Sequence, residues 1–343
     1  MPTTSSSPIE ILITIALPDA LIEQIQSVSP RLHVNMKPAR KPEEIPNEDW
    51  ASAEILFTDR VIPAPAQVPV LHWVQFYFAG IDFVLGSPLL QKSELLVTTL
   101  SGAAAPQMAE FALTLLLALG HHLPDLSVNQ SRAEWPRDRM ERFSPSELRG
   151  SVVGIVGYGS VGRELARLLQ PFNVTVLAIK REVMRPGDSG YMPEGLGDPQ
   201  GDLFSRLYPV QALHSMLKEC DFVIVALPLT NDTRHLIGEE ELKVMKPTSY
   251  IVDVGRGDVI DPAALLTALQ DHKIAGAAMD VFAEEPLPPN SPYWKMPNMI
   301  VSPHIGGMSA FYKERAVAMF TENLSRYILG DPLLNRFDPE KGY

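Results

Sequence analysis

Short apolar runs, each bounded by polar or turn-forming positions, recur in the first third of the chain at 11–17, 31–36, 53–58, 71–76 and 95–99. Their length and composition predict strands. Helix-length segments such as 20–28 fall between some of them, and this alternation is the pattern of α/β architecture. A longer apolar segment starts at Pro106 and passes through Ala109, Leu113, Leu116 and Leu117 to Leu119. Proline at its start and Gly120 at its end are helix punctuation. The polar stretch 124–148, with its lone Trp135, reads as a connection or an extended arm. A second series opens at Gly150, with strands at 152–156, 174–179, 222–226, 250–254, 276–280 and 299–302. Six strands of this kind make a doubly wound sheet. An amphipathic helix over 309–329 follows.

At 343 residues the chain is too long for one comfortable hydrophobic core, and 45% hydrophobic with 20% charged residues is ordinary globular composition. A formal net charge of −12 argues against a sequence-independent grip on nucleic acid, which needs concentrated Lys and Arg. Cys220 is the single cysteine, so an intramolecular disulfide is excluded and a reducing compartment suits the chain. The longest apolar stretch, 111–119, is far shorter than the ~20 residues of a bilayer span. Residues 1–8 are Ser/Thr-rich without a basic flank, a lead-in rather than a signal peptide, so cytoplasm is the expected location. No Cys/His or carboxylate cluster has the spacing of a metal site. Residues 185–210, rich in Gly, Pro and Asp, interrupt the second series and read either as a functional loop or as a tolerated surface insertion.

The apolar run Val153-Gly154-Ile155-Val156 leads into Gly157-Tyr158-Gly159-Ser160-Val161-Gly162 and then a helical segment. Strand, G-x-G-x-x-G and helix in that order form a dinucleotide-binding fingerprint. Gly157 permits the tight turn, Gly159 lets backbone approach a pyrophosphate, and Gly162 allows close helix–strand packing. The helix N-terminus offers N–H groups to the phosphates. At the end of the next strand, where a carboxylate would bind the adenosine ribose, the chain has Lys180 and Arg181. Two cations there favour a 2′-phosphate, hence NADP(H) over NAD(H).

Three further blocks follow predicted strands: Val254-Gly255-Arg256-Gly257, Asp280-Val281-Phe282-Ala283-Glu284-Glu285-Pro286, and Pro303-His304-Ile305-Gly306. They therefore fall at the carboxyl edge of the sheet, where ligands bind in open α/β folds. Reducing a 2-oxo acid needs a cation for the carboxylate, polarisation of the ketone and a proton donor. Arg256 supplies a planar fork and His304 the proton. Glu285, if it contacts His304, would stabilise the imidazolium.

With the glycine fingerprint, these blocks resemble the D-isomer-specific 2-hydroxyacid dehydrogenases, particularly their glyoxylate/hydroxypyruvate reductase branch. The resemblance implies that Arg256, Glu285 and His304 form the catalytic set. It implies a nicotinamide contact for Asp280, and cofactor contacts for Met108, Pro228, Thr233, Val254, Gly255 and Gly306. Phe78-Ala79-Gly80 matches a loop whose backbone holds substrate carboxylate, with Phe78 bulkier than a glycine there. The implied fold is a doubly wound dinucleotide-binding domain (121–308) inserted into a flavodoxin-like substrate domain (1–120 and 309–343), with the active site in the cleft. The implied activity is hydride transfer between NAD(P)H and a small 2-oxo acid, with no metal, and a homodimer is the implied assembly. Relatives with this core also include formate and phosphite dehydrogenases and NAD(H)-sensing corepressors, and these stay as alternatives.

Overall fold

The computed structural model describes residues 7–92, 94–188, 190–339 and 342, and its chain falls into two compact units, Met1–Ala104 with Ser309–Tyr343, and Ala105–Met308. The Ser/Thr-rich lead-in lies, for residues 1–6, outside the described residues. So do most of the last four positions of the tail.

In the first unit the strands are β1 (Ile9–Ile13), β2 (Leu32–Met36), β3 (Ile55–Thr58), β4 (Trp73–Phe76) and β5 (Leu96–Thr98). They pair in parallel in the order β2-β1-β3-β4-β5, the flavodoxin-like order. All four residues of β3 and of β4 are buried, which explains why they are apolar apart from Thr58 and Gln75. β1 ends four residues before the predicted strand does, because Thr14 already turns to donate its amide to Phe57 and Pro18 opens helix α1 (Asp19–Ser27). The C-terminal helix Tyr312–Leu329 returns to this unit, and Phe320 packs its ring against Phe57 and Trp73 at centroid separations of 4.4 and 5.4 Å. Helix α2 (Asn47–Ser52) buries Trp50.

The second unit carries strands β6 (Val152–Val156), β7 (Thr175–Ile179), β8 (Arg206–Tyr208), β9 (Phe222–Val225), β10 (Tyr250–Asp253), β11 (Gly276–Met279) and β12 (Met299–Val301). All pair in parallel, ordered β12-β11-β10-β9-β6-β7-β8. The order reverses between β6 and β9, and that switch point is where a doubly wound sheet opens a ligand crevice. The sheet has seven strands where the pattern predicts six. The extra one, β8, ends the stretch read as an irregular insertion, pairing Arg206, Leu207 and Tyr208 with Leu177, Ala178 and Ile179. No single helix among the described residues is long and apolar enough to cross a membrane.

Helix α3 (Ala105–Gly120) belongs to this second unit, so the boundary lies before Ala105 rather than after Gly120. Its buried stripe of Ala109, Ala112, Leu115, Leu116 and Leu119 joins Val153, Ile155, Leu165 and Phe222 in one apolar cluster. The stretch read as an arm contains helices α4 (Leu123–Ser131) and α5 (Arg139–Arg142). Helices α6 (Ser160–Leu169), α7 (Leu213–Leu217), α8 (Glu239–Val244) and α9 (Pro262–Gln270) complete the layers over the sheet.

Candidate active site

β6 delivers the chain to Gly157, whose φ of 109° lies where a side chain is strained, and a Cβ there would sit 2.6 Å from the Ala226 carbonyl oxygen. The turn it allows starts α6 at Ser160, with Gly159 as the residue before it. A Cβ placed on Gly159 would meet no protein atom, so the turn faces open space. By helix geometry the amides of Ser160, Val161 and Gly162 have no intrahelical acceptor. Open space over unpaired amides at a helix N-terminus fits a pyrophosphate, and this cradle fits a dinucleotide.

The residues expected around that cradle divide into two groups. Val254 and Gly255 sit at the carboxyl end of β10, with the Gly255 amide donating to Asp253 at 2.8 Å. Thr233 spends its hydroxyl on the loop itself, donating to the Pro228 carbonyl at 2.7 Å and accepting the Thr230 amide at 2.8 Å. Met108 is half-buried on α3 against the cluster beneath β6. Arg181 is exposed and lies 3.9 Å from Asp232.

Tyr158 and Lys180 correct the expectation. The Tyr158 amide donates to Ile179 and its hydroxyl donates to Asp198 at 2.6 Å, with the ring buried, so neither of its donors is left for a phosphate. The Lys180 ammonium donates to the carbonyls of Arg185 and Gly187 at 2.6 and 2.8 Å. Burial and the Arg163 charge push its pKa down. The cation read as a 2′-phosphate ligand is held instead by the backbone of the insertion.

On the other side of the switch point, His304 Nδ1 and Glu285 Oε2 meet at 2.7 Å. The Phe282 amide donates to the other oxygen of Glu285 at 2.9 Å, which fixes the carboxylate. His304 has φ 55°, a left-handed conformation that histidine enters more readily than most side chains. Asp280 holds it there. Its buried carboxylate accepts Ser302 Oγ at 2.7 Å and the amides of Ile305 and Gly306 at 2.9 Å each. The residue expected at the nicotinamide also shapes the histidine loop, a role that sequence leaves invisible because its three donors lie more than twenty positions downstream.

Arg256 is half-buried on the turn after β10, with Nη1 donating to the Gly255 carbonyl at 2.8 Å. Its neighbour Gly257 lies so close to Phe282 that a Cβ would overlap that residue's backbone. The arginine turn and the glutamate loop therefore abut. Two contacts unforeseen from sequence pin the turn from its other side: Arg234 pairs with Asp258, and the His235 amide donates to the Asp258 carbonyl at 2.8 Å. Beneath it, Asp253 is completely buried. Burial drives its carboxyl pKa well up, with Asp280 adding to that, against the Gly255 amide and the Arg256 charge.

In the first unit, Phe78, Ala79 and Gly80 form the loop after β4. The Phe78 carbonyl accepts the Leu100 amide, and its ring lies 5.9 Å from the Arg60 guanidinium. The amides of Ala79 and Gly80 donate to no acceptor among the described residues, so the loop offers two donors to an anion.

Residues 113–306 match the family model described as D-isomer specific 2-hydroxyacid dehydrogenase, NAD binding domain. A glyoxylate reductase of Thermococcus gammatolerans is 30% identical over 334 residues, covering 94% of this chain and 93% of its own. A glyoxylate reductase of Pyrococcus furiosus is 33% identical over 267 residues, covering 77% and 74%. Among solved structures, a D-isomer specific 2-hydroxyacid dehydrogenase from Xanthobacter autotrophicus, in complex with NADPH and MES, superposes with a TM-score of 0.78 at 28% identity, covering 98% of this chain and all of that one. A D-isomer specific 2-hydroxyacid dehydrogenase family protein from Aeromonas salmonicida gives the same TM-score and identity, covering 97% of this chain and all of its own.

Proposed function

The chain belongs to the D-isomer-specific 2-hydroxyacid dehydrogenase family, and from that premise we propose that it reduces small 2-oxo acids, glyoxylate and hydroxypyruvate first among them, to D-2-hydroxy acids. The observation that carries this reading is the Glu285–His304 pair at 2.7 Å, at the same sheet edge as the arginine turn and the dinucleotide cradle.

The first turn of α6 would hold the pyrophosphate, and the nicotinamide, when bound, supplies the hydride. Arg256 binds the substrate carboxylate and polarises the ketone oxygen with its planar fork. With Nδ1 engaged by Glu285, Nε2 is the ring nitrogen that gives its proton to the carbonyl oxygen. Glu285 offsets the imidazolium charge and, clamped by the Phe282 amide, sets the ring's direction. In the reverse direction neutral His304 takes the proton back. Arg181, at the end of β7, is the side-chain cation for a 2′-phosphate and underlies a preference for NADPH. Exposed Leu123, Leu126, Trp135 and Met140 on the 123–143 segment are where a second copy of the chain docks.

The test is cofactor oxidation followed with glyoxylate, hydroxypyruvate, pyruvate and phenylpyruvate. Turnover of the two smaller acids with NADPH preferred over NADH is the expected result. Absence of turnover with every pair overturns the reading.

A further inference from the structure

The described residues of the segment 182–205 (182–188 and 190–205) are keyed into the dinucleotide cradle by a buried polar network. Asp198, 2% exposed, accepts the Tyr158 hydroxyl at 2.6 Å and the amides of Gly201, Asp202 and Leu203 at 3.0, 3.0 and 3.1 Å. The hydroxyl comes from inside the glycine turn itself. Arg163, the first residue after that motif, is 1% exposed. Its guanidinium donates to the carbonyls of Asp198 and Pro186 and stacks 4.8 Å from the Tyr158 ring. Glu164, 2% exposed, accepts the Gly197 amide at 2.6 Å and both donors of Arg167. At the end of β7, the Lys180 ammonium is bound by carbonyls of the same segment.

A tolerated surface insertion would leave Arg163 and Glu164 solvated on the first turn of α6. Burying charged groups is costly unless they are hydrogen-bonded or paired, and here Asp198 is held by four donors, Glu164 by Arg167 and the Gly197 amide, and Arg163 by two carbonyls and the Asp188 carboxylate at 3.4 Å. The attachment points are also selective. They are the glycine turn, the first turn of α6 and the carboxyl end of β7, the three places that surround the pyrophosphate and adenosine ribose in a doubly wound domain.

We propose that residues 182–205 form a fixed outer wall of the adenosine subsite, keyed to the glycine turn by Asp198 and to β7 by Lys180. Both are positioning residues for cofactor binding. Lys180 acts through the wall for NADH and NADPH alike and does not read the 2′-phosphate. This rests on the dinucleotide reading above but not on the identity of the acid reduced.

The experiment measures Kd for NADPH and NADH by titration without 2-oxo acid, together with limited proteolysis of the wall. Asp198→Ala should weaken both cofactors by about tenfold or more, the size of losing a fixed hydrogen-bond network. Asp198→Asn, which keeps an acceptor for the Gly201 and Asp202 amides, should recover part of that loss. Tyr158→Phe removes one hydroxyl and should weaken both cofactors by roughly threefold, and it decides the matter should Asp198→Ala fail to fold. In the wild type, either cofactor should slow cleavage within 182–205. Lys180→Met should weaken NADH and NADPH in parallel, whereas loss of NADPH binding alone overturns its assignment. Variants whose wall opens to protease while both Kd values stay within about twofold overturn the proposal. A wild-type protein that binds neither cofactor overturns the dinucleotide reading and this one together. Cofactor binding without 2-oxo acid reduction overturns only the reductase reading.

Discussion

The carboxylate of Glu285 has one oxygen on His304 and the other on the Phe282 amide, so it can neither rotate nor drift from the imidazole. Glu285→Gln keeps the shape and removes the charge. Reduction should slow by roughly 10²-fold, the scale of a compromised acid catalyst, while NADPH affinity measured without substrate is largely retained. Stopped-flow mixing separates the two, and unchanged turnover would remove Glu285 from the chemistry. At this scale the sequence is informative where chemistry dictates residue type: arginine, glutamate and histidine stand at strand ends, where the proposed reaction would use them. It is uninformative where a polar side chain serves a loop that folds back from far along the chain. Asp280, the Tyr158–Asp198 bond and the Arg234–Asp258 pair are of that second kind.

Among the elements, β10 carries the most unusual residue, because Asp253 ends a central strand with a fully buried carboxyl. Burial holds its folded pKa well above the ordinary 3.8, so between the unfolded and the folded pKa folding takes up a proton. Native stability is therefore undiminished below the unfolded pKa and falls as pH rises from there toward the folded value. Asp253→Asn retains an acceptor for the Gly255 amide and removes that dependence. Urea midpoints of the variant should exceed those of the wild type in mildly alkaline buffer, with the gap shrinking in acid. An equal gap at both, or a loss that grows with pH, would contradict a carboxyl pKa raised by burial. The strands around it were legible because parallel strands covered on both faces are apolar runs. β8 was not, since three residues in a Gly- and Pro-rich stretch carry too little pattern. Nor was the unit to which α3 belongs, because apolar periodicity reports that a helix face is buried but not against what.

For the whole molecule, both sheet orders follow from general rules of parallel connection once the strands are placed. Assembly depends on surface. Trp135 is 83% exposed and Met140 80%, and the proposed docking of a second copy rests on them. Replacing both by aspartate should weaken the proposed dimer by about 2 kcal/mol or more, the loss typical of central interface anchors. Sedimentation velocity across a concentration series should show the wild type dimeric and the variant dissociating, and identical profiles would place the interface elsewhere.

The most direct measurement is the initial rate of NADPH-dependent hydroxypyruvate reduction by His304→Ala beside the wild type, with the product resolved by chirality. The expected result is D-glycerate from the wild type and a rate lower by roughly 10²- to 10⁴-fold in the variant, with NADPH still bound. Wild-type turnover by His304→Ala, or L-glycerate as the product, would contradict the assignment of His304 and the reaction built on it.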